Sequence, residues 1–154
     1  MPSKKISSQF YDSSYFNRGI AFKKSCYTNY QWLPDLTIPM AYKIIKYLNL
    51  SEKHTVLDFG CSKGYLVKAL RKLDIKAYGV DISPYAIKNC DLETKKFCKL
   101  ITEKNYLPFK KKKFDMLITK DVLEHLTAEQ IKIFLSKYRY RTKKMFHVIP
   151  LGDN

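Results

Sequence analysis

The residues with the strongest claim to chemistry form one short run, Val56-Leu57-Asp58-Phe59-Gly60-Cys61-Ser62-Lys63-Gly64-Tyr65. An apolar stretch ends here in two glycines separated by small side chains. Such a turn bends sharply and lets a ligand approach the backbone closely. About twenty residues later, Gly79-Val80-Asp81 ends a second apolar run on a carboxylate. In doubly wound α/β folds an acid at that place accepts hydrogen bonds from ribose hydroxyls. The pair predicts an adenosine-type ligand at the carboxyl ends of the strands.

The loop discriminates among such ligands. The dinucleotide fingerprint is G-x-G-x-x-G. This chain has Gly60-x-Ser62-x-Gly64, with Tyr65 where the third glycine would fall. Asp58 stands two residues before the first glycine, where its charge would repel a pyrophosphate but attract a cationic amino group. The lysine and hydroxyl of a P-loop are missing after Gly64. S-adenosylmethionine, which has no phosphate and carries an ammonium and a sulfonium, fits this loop better than NAD.

The elements that must position these residues follow from periodicity. Ile38, Ala41, Ile44, Ile45 and Leu48 predict a helix over 36–48. Strands are predicted at 55–59 and 76–81. A helix from Tyr65 to Leu73 lies between them, with Leu66, Ala69, Leu70 and Leu73 inward. Ser83-Pro84 is a helix start with serine as N-cap and proline in the first turn, giving a short helix over 84–90. Further strands are expected at 99–102, 114–119 and 145–149. Thr127-Ala128-Glu129-Gln130 has capping-box spacing and opens a helix with Ile131, Phe134, Leu135 and Tyr138 inward. Alternating strands and helices predict a parallel sheet covered on both faces. Residues 1–34 lack a clear period but hold eight aromatics, which a floppy tail would not need. They are expected to pack on the domain formed by 35–154, over its ligand or simply over its core.

At this point residues 54–150 resemble the class I S-adenosylmethionine-dependent methyltransferases. Asp58-Phe59-Gly60-Cys61-Ser62-Lys63-Gly64 is similar to that family's first motif, with serine for the middle glycine. Gly79-Val80-Asp81-Ile82-Ser83 is similar to its second-strand motif. The resemblance implies that Asp81 holds the ribose and that Ile82 packs on adenine. Glu103, with Lys104 beside it and Leu107-Pro108-Phe109 after it, stands in the place of the acid that binds the adenine amino group. Phe114 to Leu126 is similar to the fourth strand and the turn after it, where Lys120 would meet the cofactor through its backbone. The implied fold is a Rossmann-like doubly wound α/β sheet of order 3-2-1-4-5. The implied cofactor set is Asp58, Gly60, Cys61, Ser62, Gly64, Asp81, Ile82, Glu103, Lys104 and Lys120.

Two departures from the family pattern stand out. The sequence reaches Asn154 just after strand five, so the hairpin of strands six and seven is expected to be absent, in a truncated or a minimal form. A bare fifth-strand edge invites pairing with a second copy. The Lys-Pro-Gly-Gly turn before strand five is replaced by Tyr140-Arg141-Thr142-Lys143-Lys144.

Methyl transfer is an in-line displacement, so the chain's tasks are positioning the nucleophile and, for a hydroxyl acceptor, taking its proton. Asp121 is a candidate for that role, or an N-cap for the turn that follows. His125 is a candidate base, or a packed turn histidine. Tyr11, Tyr15 and Trp32 are candidates to close over the methionine end or to recognise the acceptor. The Asp121-Val122-Leu123-Glu124-His125 turn most resembles branches acting on small molecules, sugars or lipids. No Asn-Pro-Pro-Tyr-like motif follows strand four, which disfavours amino-directed nucleic-acid enzymes.

Composition bounds the remainder. The 154 residues fit one domain. No stretch approaches the roughly 18–20 apolar residues of a membrane span, and Met1-Pro2-Ser3-Lys4-Lys5 leads into polar sequence without a signal-peptide core. A cytoplasmic domain is expected. Cys26, Cys61, Cys90 and Cys98 contain no C-x-x-C pair, so no metal site is expected and reduced thiols are the default. The net charge of +15 comes from 25 Lys and only 4 Arg, more a solvated lysine surface than a phosphate-reading one. Lys110-Lys111-Lys112-Lys113 reads as an exposed loop. Lys137 to Lys144, with interleaved tyrosines, is the better nucleic-acid candidate, though a basic helix end explains it more simply. The sequence thus predicts a methyltransferase for a small-molecule or sugar acceptor, methylated at oxygen or nitrogen. The alternatives are an RNA methyltransferase and a non-catalytic cofactor-binding or regulatory module.

Overall fold

A computed structural model describes residues 7–110 and 112–150. The first six residues of the predicted N-terminal segment, Lys111 of the lysine run and residues 151–154 lie outside the described residues. Five parallel strands form one sheet in the order β3-β2-β1-β4-β5. They are β1 (Thr55–Phe59), β2 (Lys76–Asp81), β3 (Cys98–Leu100), β4 (Phe114–Lys120) and β5 (Thr142–Val148). The helices are α1 (Ser13–Arg18), α2 (Pro34–Leu48), α3 (Tyr65–Lys72), α4 (Pro84–Lys88) and α5 (Ala128–Tyr138).

The sheet divides its apolar residues by strand alternation. Val56, Ala77, Met116 and Ile118 face α2 and α3, where they meet Ala41, Ile44, Leu66, Val67, Ala69 and Leu70. Leu57, Phe59, Val80 and Leu117 face the other way, onto Phe134 and Tyr138 of α5. Burying both faces holds the parallel sheet together, because apolar burial contributes about 25 cal/mol per Å².

The helix ends follow local chemistry. Ser83 Oγ accepts from Ala86 N at 3.0 Å and caps α4, and Thr127 and Gln130 close the reciprocal capping box of α5. Asn49, in the left-handed region at φ 52°, ends α2. That helix starts at Pro34, two residues before the expected boundary, and α4 stops at Lys88, two short of it. β3 lies at 98–100 instead of 99–102, although Ile101 N still bonds Asp81 O at 2.9 Å.

The largest difference from expectation is β5. It begins at Thr142, three residues earlier than predicted, and ends at Val148. Its first residues are polar, which reads as a turn. They form strand because this edge needs cover on few sides, and Phe114 N–H docks on Arg141 O at 2.7 Å to start the pairing with β4.

Residues 7–33 lie against the domain. Asp12 caps α1 by accepting from Tyr15 N at 3.0 Å, and Phe16 is buried. Hydrogen bonds tether this segment to the elements beyond the strands, among them one from Asn17 Nδ2 to the Tyr85 hydroxyl at 2.8 Å. Ser83 Oγ donates to Tyr11 O at 2.6 Å, and Lys63 Nζ donates to Tyr30 O at 3.0 Å.

Candidate active site

β1 and β2 run side by side, with Asp58 opposite Gly79 and Phe59 opposite Val80. Their carboxyl ends therefore bring the Gly60–Gly64 turn onto Asp81. Gly60 N and Cys61 N both donate to Val80 O, at 2.8 and 3.0 Å. Gly60 needs to be glycine twice over: its φ is +86°, and an added Cβ would lie 2.4 Å from Val122 Cγ2. Ser62, where the family has glycine, also sits in the left-handed region at φ 52°. Its N–H donates to Asp81 Oδ2 at 2.7 Å, and Ser83 N donates to Oδ1 at 2.7 Å. These bonds hold the buried Asp81 carboxylate in one orientation.

Around this turn opens a cavity of about 950 Å³, near the top of the roughly 300–1,000 Å³ range of small-molecule sites. Asp58, Gly60, Cys61, Ser62, Asp81, Ile82, Glu103 and Lys120 line it, as do Asp121, His125, Tyr11 and Tyr15. Asp58 is 4% exposed. Its carboxyl is pushed up to about 7, first by burial and then by the Asp81 charge, against the pull of Lys120. Burial also raises Asp81 above the usual carboxylate range, against the bonds from Ser83 and Ser62. Two buried acids that gain from a cation face one chamber.

Asp121 stands just past β4 at φ 55°, a conformation that costs about 1 kcal/mol or more outside glycine. Its carboxylate is ion-paired with Lys120, and its N–H donates to Val148 O at 3.0 Å. His125 closes the 3₁₀ turn Leu123–His125. Its ring lies 6.3 Å from that of Tyr11, and its Nε2 lies 3.9 Å from Glu124 Oε1. Burial pushes the Tyr11 phenol up to about 12, so it is a neutral hydrogen-bond donor at neutral pH.

Three residues of the predicted set stand elsewhere. Gly64 is outside the lining. Its φ of +78° starts α3, and an added Cβ would meet Cys90 Sγ and Thr94 Oγ1 at 2.8 Å, so it serves packing behind the turn. Lys104 is exposed at the tip of a turn that Thr102 and Asn105 close with reciprocal backbone bonds of 3.2 and 3.0 Å. Only Glu103 of that pair reaches the cavity. Trp32 packs on the α2–α3 side, 5.0 Å from Lys68 Nζ and 5.9 Å from the Tyr65 ring, outside the cavity lining although its neighbours Gln31 and Leu33 belong to it.

Three aromatics were missed. Phe16, Tyr27 and Tyr30 join Tyr11 and Tyr15 in one wall of the cavity. Tyr27 and Tyr30 lie 4.7 Å apart, and Tyr15 and Tyr27 5.9 Å. The signal was the density of aromatics before residue 34. Nothing local in sequence says which of them turn inward.

The site fits the expected cofactor on observations of its own. The Ser62 hydroxyl is buried beside the cavity without a hydrogen bond, Gly60 leaves a cradle that a Cβ would fill, and the buried Asp58 and Asp81 carboxylates are acceptors of the kind that an ammonium and ribose hydroxyls need. When bound, S-adenosylmethionine supplies an electrophilic methyl group.

Comparison with known proteins agrees with this reading. A family model described as a methyltransferase domain matches residues 57–144. A human protein named mitochondrial arginine-hydroxylase NDUFAF5 is 33% identical over 64 residues, covering 41% of this chain and 19% of that one. Among solved structures, a SAM-dependent methyltransferase from Archaeoglobus fulgidus is 24% identical with a TM-score of 0.55, covering 73% of this chain and 52% of its own. Coclaurine N-methyltransferase bound to N-methylheliamine and SAH is 16% identical with a TM-score of 0.54, covering 76% and 37%. The methyltransferase domain of bacterial CtHen1-CN is 20% identical with a TM-score of 0.55, covering 73% and 64%. The chain thus spans about a fifth of its curated relative and 37–64% of these solved chains, which show the fold. With the family model matching more than half of its residues, the chain belongs to the methyltransferase domain family, the class I, S-adenosylmethionine-dependent methyltransferases of Rossmann-like fold.

Proposed function

We propose that this chain binds S-adenosylmethionine in the cavity and transfers its methyl group to a small-molecule or sugar acceptor, at oxygen or nitrogen. The observation that carries the reading is the pair of buried carboxylates, Asp58 and Asp81, facing one cavity across a glycine turn. Asp81 is placed for the ribose, Asp58 for the amino acid ammonium, and Glu103 with Ile82 for the adenine. Gly60, Cys61 and Ser62 supply the close backbone. The Tyr11–Tyr15 wall and the Asp121–His125 turn remain for the acceptor. There His125 takes a hydroxyl proton while Asp121, oriented by Lys120, aligns the nucleophile. Action in the cytoplasm is part of the same reading, supported by four free cysteines. No described helix is long and apolar enough to cross a membrane. Pairing of two copies through the β5 edge belongs to it as well, since β5 has a neighbour on one side only among the described residues.

Calorimetric titration with S-adenosylhomocysteine, with NAD and an Asp81→Ala variant as controls, tests the reading. Micromolar binding that the variant loses supports it. Binding of NAD instead, or of neither by a folded chain, refutes it. With an acceptor in hand, Asp121→Asn or His125→Ala lowers kcat by about 10²–10⁴-fold, with cofactor affinity unchanged.

A further inference from the structure

The cavity occupies the carboxyl ends of the strands. The opposite end carries a different feature. The loop before β4 and the turn between α5 and β5 lie side by side there, because Phe114 N bonds Arg141 O at 2.7 Å and Arg141 Nη1 bonds Lys110 O. The pairing gathers Lys110, Lys113, Arg139, Arg141 and Lys143 on one rim. Asp115 is the acid that pairs with this group, through Lys143 at 2.7 Å. Lys112 is not part of it, since its ammonium bonds the Tyr78 hydroxyl at 2.6 Å. Between the two arginines stands Tyr140, 70% exposed, with the Arg139 guanidinium 4.6 Å from its ring centre.

Cations gathered within a Debye length of about 8–10 Å repel one another. A polyanion relieves that repulsion and releases its own counterions. An exposed tyrosine beside an arginine adds a planar surface on which a base can stack. At this rim α5 presents only its C-terminal end, with Arg139 as its cap, whereas a flexible strand can follow a curved line of charges. We infer that this rim binds single-stranded nucleic acid, at a surface separate from the cavity and at the other end of the sheet. The inference does not depend on methyl transfer: the chain is held on a polyanion at one end while the cavity stays open at the other.

The test is fluorescence anisotropy of the full chain with a fluorescein-labelled oligouridylate, across about 50–200 mM salt. Neutralising Lys110, Lys113 and Arg139 together with glutamine flattens the slope of log K against log salt by about 2, at about 0.7 per phosphate contact. Tyr140→Ala weakens binding by about tenfold, through lost stacking, and leaves the slope unchanged. A control variant neutralises the exposed lysines Lys43, Lys99 and Lys132 in the same way. Thermal melts followed by circular dichroism verify that each variant folds. An equal loss in the control variant, or binding indifferent to Tyr140, reduces the rim to part of a general lysine coat and overturns the inference. Binding to phosphatidylserine vesicles in preference to the oligouridylate overturns it too.

Discussion

Asp58 offers the most direct test of the site's electrostatics. Its carboxyl titrates near 7 in the folded chain, against an ordinary value of 3.8. In the folded state the proton is therefore held more tightly than in the unfolded one. Folding stability is unaffected by this group below pH 4, declines as pH rises from 4 to 7, and carries the full penalty above that. The gap of about three units corresponds to at most about 4 kcal/mol at 1.36 kcal/mol per unit. Asp58→Asn removes the penalty while nearly keeping the shape. The variant should match the parent near pH 4 and melt higher at pH 8 by up to about 8–16 °C, at roughly 2–4 °C per kcal/mol for a chain of this size. The same charge that costs stability should bind the ligand. S-adenosylhomocysteine affinity in the parent should rise up to tenfold per pH unit toward 7 and level off above it, whereas the variant should bind weakly with no such rise. Melts at the two pH values and calorimetry across the range measure both effects. A variant that melts no higher than the parent at pH 8 would show that burial does not strain this carboxylate, and the reasoning would fail.

Other perturbations separate packing from binding. Gly60→Ala places a methyl group 2.4 Å from Val122 Cγ2 at a left-handed residue; it should cost several kcal/mol in a denaturant melt and abolish ligand binding. Ser62→Gly relieves the same kind of backbone strain and should raise the melting temperature by about 2–4 °C, from about 1 kcal/mol. Ser83→Ala removes both the α4 cap and the tether to Tyr11. It should cost about 1–2 kcal/mol and hasten chymotrypsin cleavage before residue 34. Trp32→Ala should lower stability by about 2 kcal/mol, through lost packing on Tyr65 and Lys68, with ligand affinity unchanged because Trp32 is outside the cavity lining.

The parts legible in sequence are those whose cause is local. The β1–turn–α3 run, the acid at the end of β2, the serine cap of α4 and the Thr127–Gln130 box each lie within a few residues of what determines them. Helix period identified Ala41 and Ile44 of α2, Leu66, Ala69 and Leu70 of α3, and Phe134 and Tyr138 of α5 as inward, although Leu135, expected inward as well, is 41% exposed. Parallel topology followed from the order of strands and helices. The places where sequence reasoning missed depend on partners distant along the chain. Thr142–Lys144 is strand because β4 lies beside it, though its side chains are polar. Gly64 and Gly60 look alike in the motif, yet one packs against Cys90 and Thr94 and the other approaches Val122 at the cavity. Trp32 and Tyr30 are two residues apart and both pack against the Tyr65 ring, yet only Tyr30 lines the cavity. The identity of the ligand loop was thus set by residue type and spacing alone. Which aromatics wall the cavity was decided only when tertiary packing brought residues 7–33 onto Lys63 and Ser83, since a side chain's direction there depends on contacts that no local pattern encodes.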